Sequence, residues 1–181
     1  MNAPAVPSGG VPADIVTERL RLRALTPDDL QDLYERVSSD PEVAWDGTPS
    51  TLEETRCSLE RKIDHVREHG FGMMAVSDRR TGDLYGFAGL QHLEGGHDIE
   101  IGYYLARQAW GRGLATELGH ALVAMAFGPL GLDRLVAVVR PENTASRNVL
   151  AKLGFRPVAV EHHYGADVEL WEIRRMQEGP A

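Results

Sequence analysis

Only one cysteine, Cys57, stands in the 181 residues, so no disulfide can form within the chain. Its neighbours make no nucleophile–base pair with it, and it reads as a small residue on a helix. No apolar run approaches the ~18 residues that a membrane helix needs. The N-terminus also lacks the basic-then-apolar order of a signal peptide. Positive charge is scarce: 19 Lys and Arg face 27 Asp and Glu, a formal net charge of −8. That field repels phosphate backbones and mildly favours a cationic substrate. A cytoplasmic protein with no nucleic-acid or membrane partner is expected. What is present is ordinary for a globular chain, with 43% hydrophobic and 25% charged residues. The length suits one domain.

Met1 to Asp14 holds three Pro, two Gly and no aromatic residue, and reads as a mobile tail. One domain is expected over 15–176, with 177–181 as a short C-terminal tail. Arg19-Leu20-Arg21-Leu22-Arg23 alternates at period two, as a half-buried strand does. Thr26-Pro27-Asp28-Asp29 opens a helix carrying Leu30, Leu33, Tyr34 and Val37. Thr51-Leu52-Glu53-Glu54 is a capping box that opens a second, with Leu52, Leu59, Ile63 and Val66 as its apolar stripe. Strands are predicted at 71–77, 84–93, 98–105 and 134–139, with a helix carrying Leu114, Leu118, Leu122 and Met125 before the last of these. A short helix at 145–153 stops at Gly154, and a hairpin turning at Gly165-Ala166-Asp167 closes the chain. The order β-α-α-β-β-β-α-β-α-β-β predicts an α/β (α+β) domain with a mixed sheet.

The most informative segment runs from Glu100 to Thr116. A strand enters Gln108-Ala109-Trp110-Gly111-Arg112-Gly113 and passes straight into a helix. Two glycines permit backbone geometry that other residues resist, and let a ligand approach the main chain. The helix behind them offers free N–H groups and a positive dipole end, so the assembly suits a pyrophosphate, with Arg112 as an added charge. A plain tight turn is the alternative. No Gly-Lys-Ser/Thr follows, which excludes a nucleoside-triphosphate loop, and Thr116 replaces the third glycine of a dinucleotide fingerprint.

Gln108-x-x-Gly111-x-Gly113 after Glu100-Ile-Gly-Tyr resembles the coenzyme A signature of the GNAT acetyltransferase superfamily. Downstream, Asn143-Thr-Ala-Ser146 leading to Leu153-Gly154-Phe155 is similar to the branch that includes the ribosomal-protein N-terminal acetyltransferases. So is the opening Thr17-Glu18-Arg19-Leu20-x-Leu22-Arg23. The resemblance spans about Ile15 to Arg175. It implies a twisted mixed sheet of seven strands, splayed between the fourth (98–105) and fifth (134–139), with about four flanking helices. Acetyl-CoA would lie in the splay. Tyr103, Tyr104 and Leu105 would pair with the pantetheine arm, and amides from Trp110, Gly111, Arg112, Gly113, Leu114 and Ala115 would hold the pyrophosphate. Asn143 and Ser146 would border the thioester.

The implied reaction is direct attack of a neutral amine on the thioester. It needs a base, an oxyanion donor and help for the thiolate. A main-chain N–H near Leu105 is the family's usual oxyanion donor. Glu100 is the first candidate base, on the strand face shared with Gly102 and Tyr104; the alternative is a structural acid. At the ordinary carboxylate pKa of ~4.3 it needs burial or a relay water. His92, His97 and Asp98 compete for the role. The tyrosine that many relatives carry on the helix after the fifth strand is missing here; Ser146 stands at the motif serine of this branch, as a positioning group. Asn143 is either a helix cap or a cofactor contact. Trp45 either shapes the acceptor pocket or anchors a loop, and His162, paired with His163, either lines the substrate side or decorates a strand. No ligand-like cluster is close in sequence, so no metal is expected.

An enzyme that moves an acetyl group to an amine (a protein N-terminus, a lysine or a small amine) is the reading the resemblance implies, as monomer or homodimer. A non-catalytic acyl-CoA-binding regulator, or an interaction module on the same fold, is the alternative.

Overall fold

The structure is a computed structural model that describes residues 14–175. The expected tails lie outside the described residues, except for Asp14. Eight strands form one sheet: β1 (Asp14–Val16), β2 (Leu20–Ala24), β3 (Met73–Asp78), β4 (Leu84–His92), β5 (Ile99–Leu105), β6 (Arg134–Val139), β7 (Arg156–His163) and β8 (Ala166–Arg174). Their spatial order is β1-β2-β3-β4-β5-β6-β8-β7. Neighbours are antiparallel except β5 and β6, which run parallel.

The expected seven strands are thus corrected to eight. The added one is β1, three residues paired with β2 from Asp14↔Arg23 to Val16↔Arg21. Three residues are too few to show alternation, and Arg21 reaches Asp14 at 2.5 Å to tie the pair. The last hairpin also turns earlier than expected. His163 pairs with Ala166, so Tyr164 and Gly165 form a two-residue turn, with φ of 51° and 75°. Both angles are positive, as a hairpin turn matched to strand twist requires.

Four helical segments flank the sheet. The first, α1 (27–38), starts as a 3-10 turn at Pro27–Asp29 and ends in π geometry over Tyr34–Ser38. The others are α2 (Leu52–His69), α3 (Leu114–Phe127) and α4 (Thr144–Lys152). The capping box of α2 forms as expected: Thr51 Oγ1 accepts from Glu54 N at 3.2 Å, and Thr51 N donates to Glu54 at 2.7 Å.

Helices cover both faces, so β3 is buried on both sides. Met74 and Val76 join the larger core with Leu114, Leu118 and Leu122 of α3 and Leu150 of α4. Met73 and Ala75 join the smaller core with Leu33 and Val37 of α1 and Leu59 of α2. Burying a leucine such as Leu118 or Leu122 completely contributes roughly 1.5–3 kcal/mol. Among the described residues, no helix is long and apolar enough to cross a membrane.

Candidate active site

The sheet is split at its middle. β4 and β5 pair continuously from Gly86↔Leu105 to His92↔Ile99. By contrast, β5 and β6 share one ladder pair, Glu100↔Val136. Beyond that rung the strands diverge around a cleft of about 1250 Å³. One wall is Gly102 to Leu105, the other Ala137 to Arg140.

The glycine loop closes one part of the cleft. Gly111 and Gly113 have φ of 68° and 75°, the left-handed region that costs other residues roughly 1–2 kcal/mol. Nothing lies within 4 Å of where a Cβ on Gly111 would stand. Gly113 is the N-cap of α3 and supplies no side chain, so the first amides of the helix carry no side-chain cap. Glu117 in that first turn accepts from Arg19 N at 2.8 Å and pairs with the Arg19 guanidinium at 2.6 Å. Arg19 in turn donates to the Arg112 carbonyl at 2.8 Å, which fixes the loop.

Glu100 stands at the rung itself and is 4% exposed. Gln91, its register partner on β4, donates to Oε1 at 2.8 Å. The Tyr164 hydroxyl donates to the same oxygen. Burial pushes the carboxyl above its ordinary value, and the two hydrogen bonds oppose that rise only in part. Register puts Gln91, Glu100, Gly102 and Tyr104 on one face. Tyr104 stacks on Phe87 at 5.1 Å, and burial pushes its phenol up to about 12. Tyr103 points the other way, into the larger core. Its hydroxyl is buried without a hydrogen-bond partner. Burial raises its pKa, with the neighbouring Ser146 pulling weakly against that.

Asn143 caps α4, its Oδ1 accepting from Ser146 N at 3.0 Å. Both residues line the cleft, as do Trp45, Leu105, Trp110, Leu114 and Ala115. Trp110 Nε1 donates to the Leu105 carbonyl at 2.6 Å, which pins the strand end to the loop. Trp45 meets Tyr164 edge-on at 5.9 Å, with the Arg140 guanidinium 5.4 Å above its ring.

Several expected residues turn elsewhere. His162 is exposed and pairs with Asp167 at 3.0 Å, away from the cleft lining. Arg112 donates to the Tyr85 hydroxyl at 3.0 Å and does not line the cleft; neither does Gln108. Of the competing bases, Asp98 is tied to Arg134 at 2.6 Å, His97 is exposed, and His92 lies against His65 and His69.

The matched family model is the Acetyltransferase (GNAT) domain, over residues 19–156. The N-acetyltransferase p20 of Bacillus licheniformis is 33% identical over 155 residues, 83% of this chain and 86% of its own. The chain belongs to the GNAT acetyltransferase family. Membership makes it an acyl-CoA-dependent acetyltransferase. The acetyltransferase of Agrobacterium tumefaciens superposes with a TM-score of 0.80 at 26% identity, covering 90% of this chain and 94% of that one. The ribosomal-protein-S5-alanine acetyltransferase of Vibrio fischeri shares the fold at a TM-score of 0.75 and 19% identity, over 93% and 100%.

Three cleft features of this GNAT domain escaped the sequence. Tyr164 and Gln91 hold Glu100 from two different hairpins, and no spacing announces either. Lys62 of α2 also lines the cleft. Its ammonium donates to Ser58 Oγ at 2.6 Å and lies 4.6 Å from the Phe87 ring centre. Burial lowers its pKa to about 8. The i,i+4 spacing to Val66 placed Lys62 beside the apolar stripe, which was the one available signal.

Proposed function

We propose that this acetyltransferase moves an acetyl group from acetyl-CoA to a primary amine by direct attack, with Glu100 as the general base. The observation that carries the reading is the single β5–β6 rung. It opens the sheet at the residue whose carboxyl is buried, raised in pKa and held by two donors. A carboxylate whose pKa is raised is a stronger base.

The residues present fit acetyl-CoA. Gly111 leaves open space where any side chain would stand, and the α3 amides behind it suit the pyrophosphate. Trp110 to Ala115 would hold that group through the main chain. Tyr103, Tyr104 and Leu105 would pair with the pantetheine arm along the free edge of β5. Ser146 and the partnerless Tyr103 hydroxyl would border the sulfur. The acceptor amine would arrive beside Trp45 and Tyr164.

In the transfer, the amine nitrogen forms its bond to the acetyl carbon and the carbon–sulfur bond breaks. Glu100 takes the proton that the nitrogen loses. The Leu105 main-chain N–H would donate to the developing oxyanion. Tyr103, kept neutral by burial, would donate a hydrogen bond to the departing thiolate. Asn143 would keep its cap and offer its side-chain NH₂ to the cofactor.

A protein N-terminus is the favoured acceptor. Support comes from the likeness of the Asn143-x-x-Ser146 segment to the ribosomal-protein branch, to which the Vibrio fischeri enzyme's name also belongs. The test is thiol release from acetyl-CoA with N-terminal peptides, lysine peptides, polyamines and aminoglycosides. Release with N-terminal peptides above the others is expected. Release with another class would replace the acceptor, and no release with any amine would overturn catalysis.

A further inference from the structure

Outside the cleft, three histidines converge. His65 and His69 are one helical turn apart at the end of α2, on one face of the helix. His92 ends β4. One ring nitrogen of each lies within 4.8 Å of the others. Ring centres are 4.5 Å apart for His65–His69 and for His69–His92, and 5.4 Å for His65–His92. We propose that His65, His69 and His92 bind a divalent cation of the zinc class, clipping the last turn of α2 to the end of β4.

Hydrogen bonding sets the orientation. His65 Nδ1 is 2.9 Å from the Phe71 carbonyl. A carbonyl only accepts, so Nδ1 carries the proton and Nε2 turns a lone pair toward His92. That is the arrangement by which metal-binding histidines are held, the second nitrogen donating to a backbone carbonyl. His65 Nε2 lies 3.3 Å from His92 Nδ1. Two nitrogens bound tetrahedrally to zinc at ~2.0–2.1 Å stand about 3.3–3.4 Å apart, so this pair is already spaced for it. The three nitrogens lie within 4.8 Å of one another, so His69 has to close in to complete the tripod at the same bond length.

The donor set selects the cation. Three imidazoles, with the exposed Glu68 carboxylate 3.8 Å from His69 Nε2 at their rim, suit zinc, cobalt, nickel or copper, and do not suit magnesium or calcium. Phe71 backs the cluster, its ring centre 5.5 Å from His65 and His92 and 6.3 Å from His69. All three histidines are half-buried, which leaves the fourth position to water or to the Glu68 carboxylate. None of the three lines the cleft, so the site stands apart from transfer chemistry.

The test uses the full, untagged chain, stripped with a chelator and titrated with Zn²⁺ by calorimetry. Co²⁺ is followed in parallel by its tetrahedral visible bands. One equivalent with a Kd of about 1 µM or tighter is expected, with a raised Tm. His69→Gln and His92→Gln should each weaken binding about 100-fold or more and abolish the cobalt bands. His69→Gln changes a helix-end side chain at the cluster's rim, and its circular dichroism checks that it folds. His162→Gln should leave binding unchanged. A Kd weaker than about 1 mM, or affinity unchanged in folded His69→Gln, overturns the site.

Discussion

The Tyr164 hydroxyl donates to the Glu100 carboxylate across 64 residues of sequence, from the β7–β8 turn to the start of β5. Glu94 sets that reach: its carboxylate accepts from Tyr164 N at 2.9 Å and from His163 Nδ1 at 2.7 Å. The turn is therefore anchored on one acid while its phenol serves another.

Glu100→Gln should lower kcat by about 10²–10⁴-fold, the usual contribution of a positioned base, with acetyl-CoA affinity retained. The acid limb of the wild-type rate profile should lie above the ordinary carboxylate range, because burial raises this group. The sign for stability is opposite to that of a salt-bridged acid. With its folded pKa above the unfolded value, Glu100 contributes stability that is full at low pH and is lost as pH rises through the folded value. The glutamine variant should thus be no less stable than wild type at pH 8. Steady-state rates from pH 5 to 9 and urea melts at pH 8 check both; an unchanged profile removes Glu100 as the base.

Tyr164→Phe deletes one of the two hydrogen bonds that favour the ionised carboxylate. The acid limb should move to higher pH, while kcat on the alkaline plateau falls only a few-fold. A limb that stays in place would show that the phenol does not act on Glu100 in solution.

Gly111→Asp and Gly113→Asp each introduce a left-handed non-glycine residue and a negative charge beside the proposed pyrophosphate position. Calorimetry should find acetyl-CoA affinity reduced at least ~100-fold, on the general cost of charge repulsion and blocked approach. Gly111→Ala brings only the strain, roughly 1–2 kcal/mol of stability, with a smaller loss of affinity. Equal affinity in all three would move the cofactor site elsewhere.

Asn143→Asp separates the two roles of that residue. The carboxylate can still accept from Ser146 N, so Tm should hold, whereas Asn143→Ala should cost about 1 kcal/mol as a lost cap. If the side-chain NH₂ serves acetyl-CoA, both variants lose affinity. Loss in the alanine variant alone would leave Asn143 as a cap only.

Lys62 is charged below about pH 8 in the folded chain and below 10.5 when unfolded, so its burial disfavours folding at neutral pH. Stability should rise between those two values. Lys62→Met should stabilise the protein at pH 7 by about 1–3 kcal/mol, a difference that closes above pH ~10.5. Urea melts at pH 7 and 10.5 test this, and a destabilised variant at pH 7 would show that the contacts with Ser58 and Phe87 outweigh the burial.

Legibility followed locality. The α2 capping box, the glycine loop and the Asn143 cap are each complete within a few residues, so spacing alone exposes them. The rung at Glu100 and its donors Gln91 and Tyr164 come from β4, β5, β6 and the β7–β8 turn. Their meeting depends on register, which sequence spacing does not carry. The sequence puts Tyr164 at a strand end and the turn at Gly165-Ala166-Asp167; the observed left-handed tyrosine is a conformation that residue type rarely takes. The three histidines are illegible for the same reason as Gln91: His65 and His69 sit on one helix, but His92 joins them only through the fold.

The lone rung between β5 and β6 leaves two strand edges open in the interior of the sheet. An unpaired edge at a sheet's rim invites other chains to add to it, and proteins commonly guard such edges with charge, proline or cover. Here the edges face each other across a walled cleft, shielded from association while still offering main-chain donors and acceptors to a slender, extended guest.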